Sequence, residues 1–196
     1  MKIIGLTGIF GSGKSTVGGF LGELGAAVTD VDAIVRQLYQ PKAEGFRRVI
    51  SLFGTEVLDA DGYLNRNILA GIVFADKAAR AKLNAAIHPL VLQETKALLA
   101  DHRRRHTSVA VVEAPLLIEA GWVPMVNEVW VTTAPREIIF RRLSQKCGMP
   151  PSSVLARIHA QLPVREQIRY ATHVINTDTS LERLKTKVKR LWQKVA

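Results

Sequence analysis

The sequence predicts an α/β fold with a parallel sheet, and three observations carry that prediction. Five short apolar runs, at Ile3 to Thr7, Ala26 to Val28, Val109 to Val112, Val129 to Thr132 and His173 to Ile175, read as buried strands and alternate with helical stretches. The first run leads into a glycine-rich loop, and that loop leads into a helical pattern with Val17, Phe20, Leu21 and Leu24 on one face. At 196 residues and 47% hydrophobic composition, the chain suits one domain with a substantial core.

Each element follows from local pattern. Asp30-Val31-Asp32 closes the second strand, at the carboxyl edge of the sheet where open α/β folds bind ligands. Asp32 also directly precedes the pattern of Ile34, Val35 and Leu38, so it suits a helix cap as well as a catalytic role. A long helical stretch, roughly Ala33 to His106, separates the second and third strands; Asp61-Gly62 marks a turn in it, and Pro89 starts or kinks a helix after His88. A second insertion, roughly Arg142 to Arg165, separates the fourth and fifth strands and is broken by Pro150-Pro151. The closing helix places Leu181, Leu184, Val188, Leu191, Trp192 and Val195 on one side and lysines on the other.

The loop itself, Gly8-Ile9-Phe10-Gly11-Ser12-Gly13-Lys14-Ser15, fits the phosphate-binding pattern G-x-x-x-x-G-K-[ST] between a strand and a helix. Glycines let consecutive backbone N–H groups face phosphate oxygens, and the positive end of the following helix faces the same anion. Lys14 then reaches the β- and γ-phosphates and the Ser15 hydroxyl ligates Mg²⁺, with Gly11, Ser12, Gly13 and Thr16 completing the ATP contacts. By analogy with kinases of this architecture, the first insertion is an acceptor-binding region, about 33–106, and the second a lid, about 142–165, within a single domain of residues 1–196.

Two acids bear on the reaction. Asp32 is placed to orient an acceptor hydroxyl and take its proton during phosphoryl transfer. Glu113, ending the apolar strand Val109-Ala110-Val111-Val112, occupies the position where phosphate-loop enzymes often keep an acid that supports Mg²⁺, directly or through water. Glu119 suits substrate binding or a local cap or pair, and spacing does not choose between them.

Composition narrows the class. A formal net charge of +10 points to an anionic partner, polyphosphate-bearing small molecules or nucleic acid. Basic residues cluster at His102 to His106 and along Arg183 to Lys194, both read as solvated faces, and no aromatic interleaving suggests a base-stacking surface. The single cysteine, Cys147, excludes an internal disulfide and fits a reducing compartment; no zinc-like spacing is present. Apolar segments fall short of the ~18 residues of a membrane span, and no signal peptide is recognisable, so a cytoplasmic protein is expected.

The ordered set of motifs resembles the dephospho-coenzyme A kinase family along nearly the whole chain. It comprises Leu6-Thr7-Gly8, Gly11 to Ser15, Asp30 to Ile34 with Arg36, Leu64-Asn65-Arg66, His88-Pro89 and Pro115-Leu116-Leu117-Ile118-Glu119. It continues with Arg142-Leu143, Arg157-Ile158, Gln161-Leu162-Pro163 and Ala171 followed by Val174-Ile175-Asn176. The phosphate loop is generic; Asp-x-Asp, His-Pro and Pro-Leu-Leu-x-Glu are the specific parts.

The resemblance implies a P-loop kinase fold with a five-stranded parallel sheet flanked by helices, a helical substrate region and a lid. It implies ATP-dependent phosphorylation of the ribose 3′-hydroxyl of dephospho-coenzyme A, with Mg²⁺, ATP and dephospho-coenzyme A as partners and neither nucleic acid nor a membrane. Asp32 is then the base or hydroxyl aligner, Arg142 meets ATP and Asn176 lies near adenine, while Arg66, His88, Leu116 and Glu119 face the substrate. Without the family pattern, His88 suits a structural histidine and Arg66 a surface pair. Oligomeric state is open, with a monomer sufficient.

The chain departs from the family at Ile9, where glycine is common, at Ile139, where glutamine is common, and at Lys146, where arginine is common. Thr172-His173 replaces an aspartate-containing pair. Two other readings share the motifs: a nucleoside or nucleoside monophosphate kinase, since the loop is silent on the acceptor, and a nucleic-acid-binding NTPase, motivated by the basic charge.

Overall fold

The computed structural model describes residues 1–147 and 151–195, without the side chains of Lys146, Cys147, Pro151 and Ser153. The substitution at Lys146, the thiol of Cys147 and Pro150 of the proline pair therefore lie outside the described residues. The chain forms two compact units, residues 1–30 with 99–196 and residues 31–98.

The first unit is a five-stranded parallel sheet: β1 (Lys2–Gly8), β2 (Ala27–Asp30), β3 (Val109–Glu113), β4 (Glu128–Thr133) and β5 (His173–Asn176), in the order β2-β3-β1-β4-β5. The five strands match the five apolar runs. Strands covered on both faces read as continuous apolar segments, and all five residues of β3 are buried. Because β1 is central and its neighbours β3 and β4 come much later in the chain, the loop after β1 emerges at a switch in strand order.

The helices flanking this sheet are α1 (Lys14–Glu23), α6 (Arg136–Cys147), α7 (Pro151–His159), α8 (Val164–Ile168) and α9 (Leu181–Trp192), numbered around α2 to α5 of the second unit. Helices α1 and α9 pack together, and Val17, Leu21, Leu184 and Val188 join Ile4, Leu6, Val111 and Trp130 in one core. Each such side chain contributes about 1.5–3 kcal/mol when fully buried. A Lys185–Glu23 ion pair of 2.6 Å joins the two helices at the surface. Ser180 caps α9, accepting from the Arg183 N–H at 3.3 Å. Leu181, expected on the apolar side, is instead 66% exposed: it is the first residue of α9, and the buried contacts begin one turn later, at Leu184.

The second unit is helical: α2 (Val31–Leu38), α3 (Glu44–Phe53), α4 (Arg66–Ala75) and most of α5 (Lys77–Arg104). The expected Asp61-Gly62 turn is present, with Gly62 at φ 80° and the Asp59 carboxylate accepting from the Asp61 and Tyr63 N–H groups. Asn65 caps α4 by accepting from the N–H groups of Asn67 and Ile68. Pro89 starts no helix. Helix α5 runs through it, because Leu83, Ile87 and Val91 on either side are buried and their packing outweighs the one backbone bond that proline removes. The basic end of α5 is exposed, with Arg104 and Arg105 both paired to Asp101. Among the described residues, no helix is long and apolar enough to cross a membrane.

Candidate active site

The loop between β1 and α1 takes the shape its glycines permit. Gly13, immediately before α1, is left-handed at φ 89°, and a Cβ there would stand 3.1 Å from the Thr177 hydroxyl. Gly8, at φ 147°, passes so close to β4 that a Cβ would meet the Thr132 carbonyl at 2.5 Å. Both positions therefore demand glycine.

Lys14 is buried, and its Nζ donates to the carbonyls of Gly8 at 2.9 Å and Ile9 at 3.3 Å. The ammonium thus arches back over the loop that its own backbone continues. Ser12 is held on two sides: its hydroxyl meets Thr132 Oγ1 at 2.7 Å, and its carbonyl accepts from Thr177 Oγ1 at 2.7 Å. Since Thr132 Oγ1 donates its single proton to the Thr7 carbonyl, Ser12 is the donor in the first contact. Thr16 follows in the first turn of α1, partly buried.

The Ser15 hydroxyl donates to Glu113 Oε1 at 2.7 Å. Glu113 is buried at the end of β3, in register with Leu6 of β1 and Asp30 of β2, so Asp30 and Glu113 are neighbours at the carboxyl edge of the sheet. A hydroxyl and a carboxylate beside a phosphate loop are an oxygen donor set of the kind Mg²⁺ accepts with few protein ligands, the remainder coming from phosphate and water. These residues fit that ion.

Two candidates follow from the end of β5. Arg142 of α6 donates to the Thr177 hydroxyl at 2.9 Å and to the Thr177 carbonyl at 2.7 Å, so Thr177 links Arg142 to the loop carbonyl of Ser12. Asn176 is exposed, and its Oδ1 accepts from the Asp178 N–H at 2.8 Å. After β3, Leu116 is partly buried, whereas Glu119 is exposed and accepts from the Leu162 N–H at 2.8 Å.

The helical unit carries Asp32, Arg66 and His88 on three different helices, α2, α4 and α5. Strand β2 stops at Asp30, so Val31 and Asp32 do not close it: both belong to α2. Asp32 is exposed in the first turn, a position that the helix dipole favours for an acid, rather than at the cap. Arg66, the first residue of α4, lies 6.0 Å over the ring of Tyr39. Burial pushes the Tyr39 hydroxyl up to about 12, with Arg66 pulling the other way. His88 is half-buried, and burial lowers its imidazole below the ordinary 6.5.

Two of the departures from the family pattern, Ile9 and Ile139, belong to one part of the structure. Ile9 of the phosphate loop and Ile139 of α6 belong to one buried cluster with Leu143 and Val154. Two residues with polar roles, Thr132 and Thr177, were given none from sequence, and Gln161 was named only as part of the Gln161-Leu162-Pro163 motif. Gln161 accepts from the Phe10 N–H at 2.7 Å and donates to the Pro115 carbonyl at 2.9 Å. The local signals were the position of Thr177 directly after Asn176 and the motif that contains Gln161.

Comparisons with known proteins bear on the family and the fold. Residues 2–183 match the family model described as dephospho-CoA kinase. A dephospho-CoA kinase of Dehalococcoides mccartyi is 44% identical over 97% of this chain and 96% of its own. A crystal structure of a Thermus thermophilus protein superposes with TM-score 0.83 at 34% identity, covering 100% of this chain and 98% of the other. A dephospho-CoA kinase from Campylobacter jejuni shares the fold, with TM-score 0.71 at 23% identity and coverage of 100% and 98%. A match along almost the entire chain, with its phosphate loop formed in three dimensions, leads to one assignment: the chain belongs to the dephospho-CoA kinase family.

Proposed function

We propose that the protein transfers the γ-phosphoryl group of ATP to the ribose 3′-hydroxyl of dephospho-coenzyme A, giving coenzyme A and ADP in the final step of coenzyme A synthesis. The observation that carries this reading is the Ser15–Glu113 pair beside a formed phosphate loop, in a chain whose residues 2–183 match the family.

The residues divide the work. Gly11, Ser12, Gly13, Lys14, Ser15 and Thr16 supply the backbone or secondary contacts to the ATP phosphates, Ser12 with its own N–H bonded to the Ile9 carbonyl at 3.0 Å, and Lys14 exchanges its loop carbonyls for phosphate oxygens. Ser15 and Glu113 would hold Mg²⁺, which would neutralise charge on the phosphates. Asp32 holds the 3′-hydroxyl in line and receives its proton as the new P–O bond forms and the bond to the β-phosphate oxygen breaks. Arg142 and Asn176 contact ATP; Arg66, His88, Leu116 and Glu119 contact dephospho-coenzyme A. Residues about 33–106 form the acceptor region and about 142–165 the lid. We place this reaction in the cytoplasm, without nucleic acid or a membrane.

An acceptor panel tests the reading. ADP release from Mg²⁺-ATP is measured with dephospho-coenzyme A, nucleosides and nucleoside monophosphates in turn. Release stimulated by dephospho-coenzyme A alone supports it, and equal stimulation by a nucleoside monophosphate reassigns the acceptor.

A further inference from the structure

The phosphate loop has a polar anchor outside its own sequence. Gln161 lies after α7, 151 residues from Phe10, and its side-chain amide uses both ends on the loop and its surroundings. Oε1 accepts from the Phe10 N–H at 2.7 Å, while Nε2 donates to the Pro115 carbonyl at 2.9 Å and, more weakly, to the Gly8 carbonyl at 3.4 Å. The reverse amide orientation would set Oε1 against two carbonyl oxygens, so the chemistry of the three partners fixes which way it points.

The segment bearing Gln161 is itself held. The Leu162 N–H donates to Glu119 Oε1 at 2.8 Å, and Gln167 Nε2 donates to the Leu162 carbonyl at 2.9 Å. Apolar packing adds to this on the loop side. Ile9 is buried against Ile139, Leu143 and Val154, with Phe10 and Ile158 beside them, and the Arg157 guanidinium lies 4.9 Å over the Phe10 ring.

Lys14 and Gln161 converge on the same acceptor, the Gly8 carbonyl. A lysine that serves phosphate must give up its loop carbonyls, and an amide already at Gly8 keeps that carbonyl bonded when it does. We propose that Gln161 is a positioning residue for the donor phosphates: it holds residues Gly8 to Phe10 in their phosphate-binding shape and is the standing partner of Gly8 when Lys14 turns to ATP. The role acts through the loop, and Gln161 touches no reacting atom. The inference deepens the proposed function and rests on the loop's being the ATP site.

The test uses the full chain with Gln161→Met, which keeps the length of the side chain and removes all three polar contacts, and reads ADP affinity by titration calorimetry. This readout needs no acceptor, so failure of the parent protein to phosphorylate dephospho-coenzyme A would sink the function while leaving this inference measurable. Losing hydrogen bonds that shape a polar site is expected to weaken ADP binding about tenfold. The KM for ATP should rise in parallel, while the KM for dephospho-coenzyme A stays within about twofold. Gln161→Leu, which is neutral and also removes all three polar contacts, supplies the same readout if the methionine variant folds poorly. ADP affinity within about twofold of the parent in either folded variant, or equal losses for ATP and dephospho-coenzyme A, overturns the proposal.

Discussion

The Ser15 hydroxyl donates a 2.7 Å hydrogen bond to Glu113, joining the first turn of α1 to the end of β3. That contact pairs the residue expected to ligate Mg²⁺ with the residue expected to support it. Glu113→Gln keeps the shape and removes the charge. Substituting a group that supports a metal ligand typically costs 10–100-fold in affinity, so the Mg²⁺ concentration for half-maximal rate should rise by about that factor. A rate profile against Mg²⁺ at fixed ATP checks it, and an unchanged requirement would remove Glu113 from the metal site.

Gly18 makes room for the same carboxylate. A Cβ on this residue of α1 would stand 2.5 Å from Glu113 Oε2. Alanine is the better helix former by about 1 kcal/mol, so Gly18→Ala should leave the melting temperature nearly unchanged or raised. The flexible end of Glu113 has to move, and the Mg²⁺ requirement should rise as it does in Glu113→Gln. A variant that is stable and has the parent's Mg²⁺ dependence would show that the exact place of this carboxylate is immaterial.

A substitution at Asp32 tests whether chemistry separates from nucleotide binding. If it aligns the acceptor and takes its proton, Asp32→Asn should lower kcat by about 10²–10⁴-fold while ADP affinity stays near that of the parent. Equal turnover would exclude the residue from the mechanism. A parallel loss of ADP binding would instead mean that Asp32 serves the donor.

His88 carries a pH signature. Burial lowers its imidazole below 6.5, so the unfolded chain takes up the proton more readily than the folded one. Stability attributable to His88 is therefore present above 6.5 and is lost as pH falls through the ordinary value toward the lower folded one. His88→Gln should flatten the loss of urea-denaturation midpoint between about pH 7 and pH 5. An identical slope in the variant would show that His88 does not contribute to acid sensitivity.

Much of this was legible because it is local. The loop from Gly8 to Ser15 encodes its geometry in consecutive residues, and strands such as Val109 to Glu113 announce themselves as short apolar runs. The Ser15–Glu113 contact joins two positions, each suspect on its own chemistry. Gln161 was visible as part of a motif, yet its partners Phe10 and Pro115 lie 151 and 46 residues away, so its role waited on the fold. Ile9 and Ile139 each look like a lost polar or flexible position in the linear pattern. In space they are one apolar contact between loop and helix, and the pairing explains both. Pro89 lies inside α5 rather than at its start, because packing on both sides carries the helix through it, and Leu181 misled because the end of a helix left an apolar residue exposed.

The most direct measurement is the fate of the γ-phosphate. Purified protein with Mg²⁺, ATP labelled at the γ position and dephospho-coenzyme A should yield coenzyme A carrying the label on its ribose 3′-oxygen, with one ADP per product. No labelled coenzyme A, or ADP formed at the same rate without dephospho-coenzyme A, would contradict the assignment of this site as a dephospho-coenzyme A kinase.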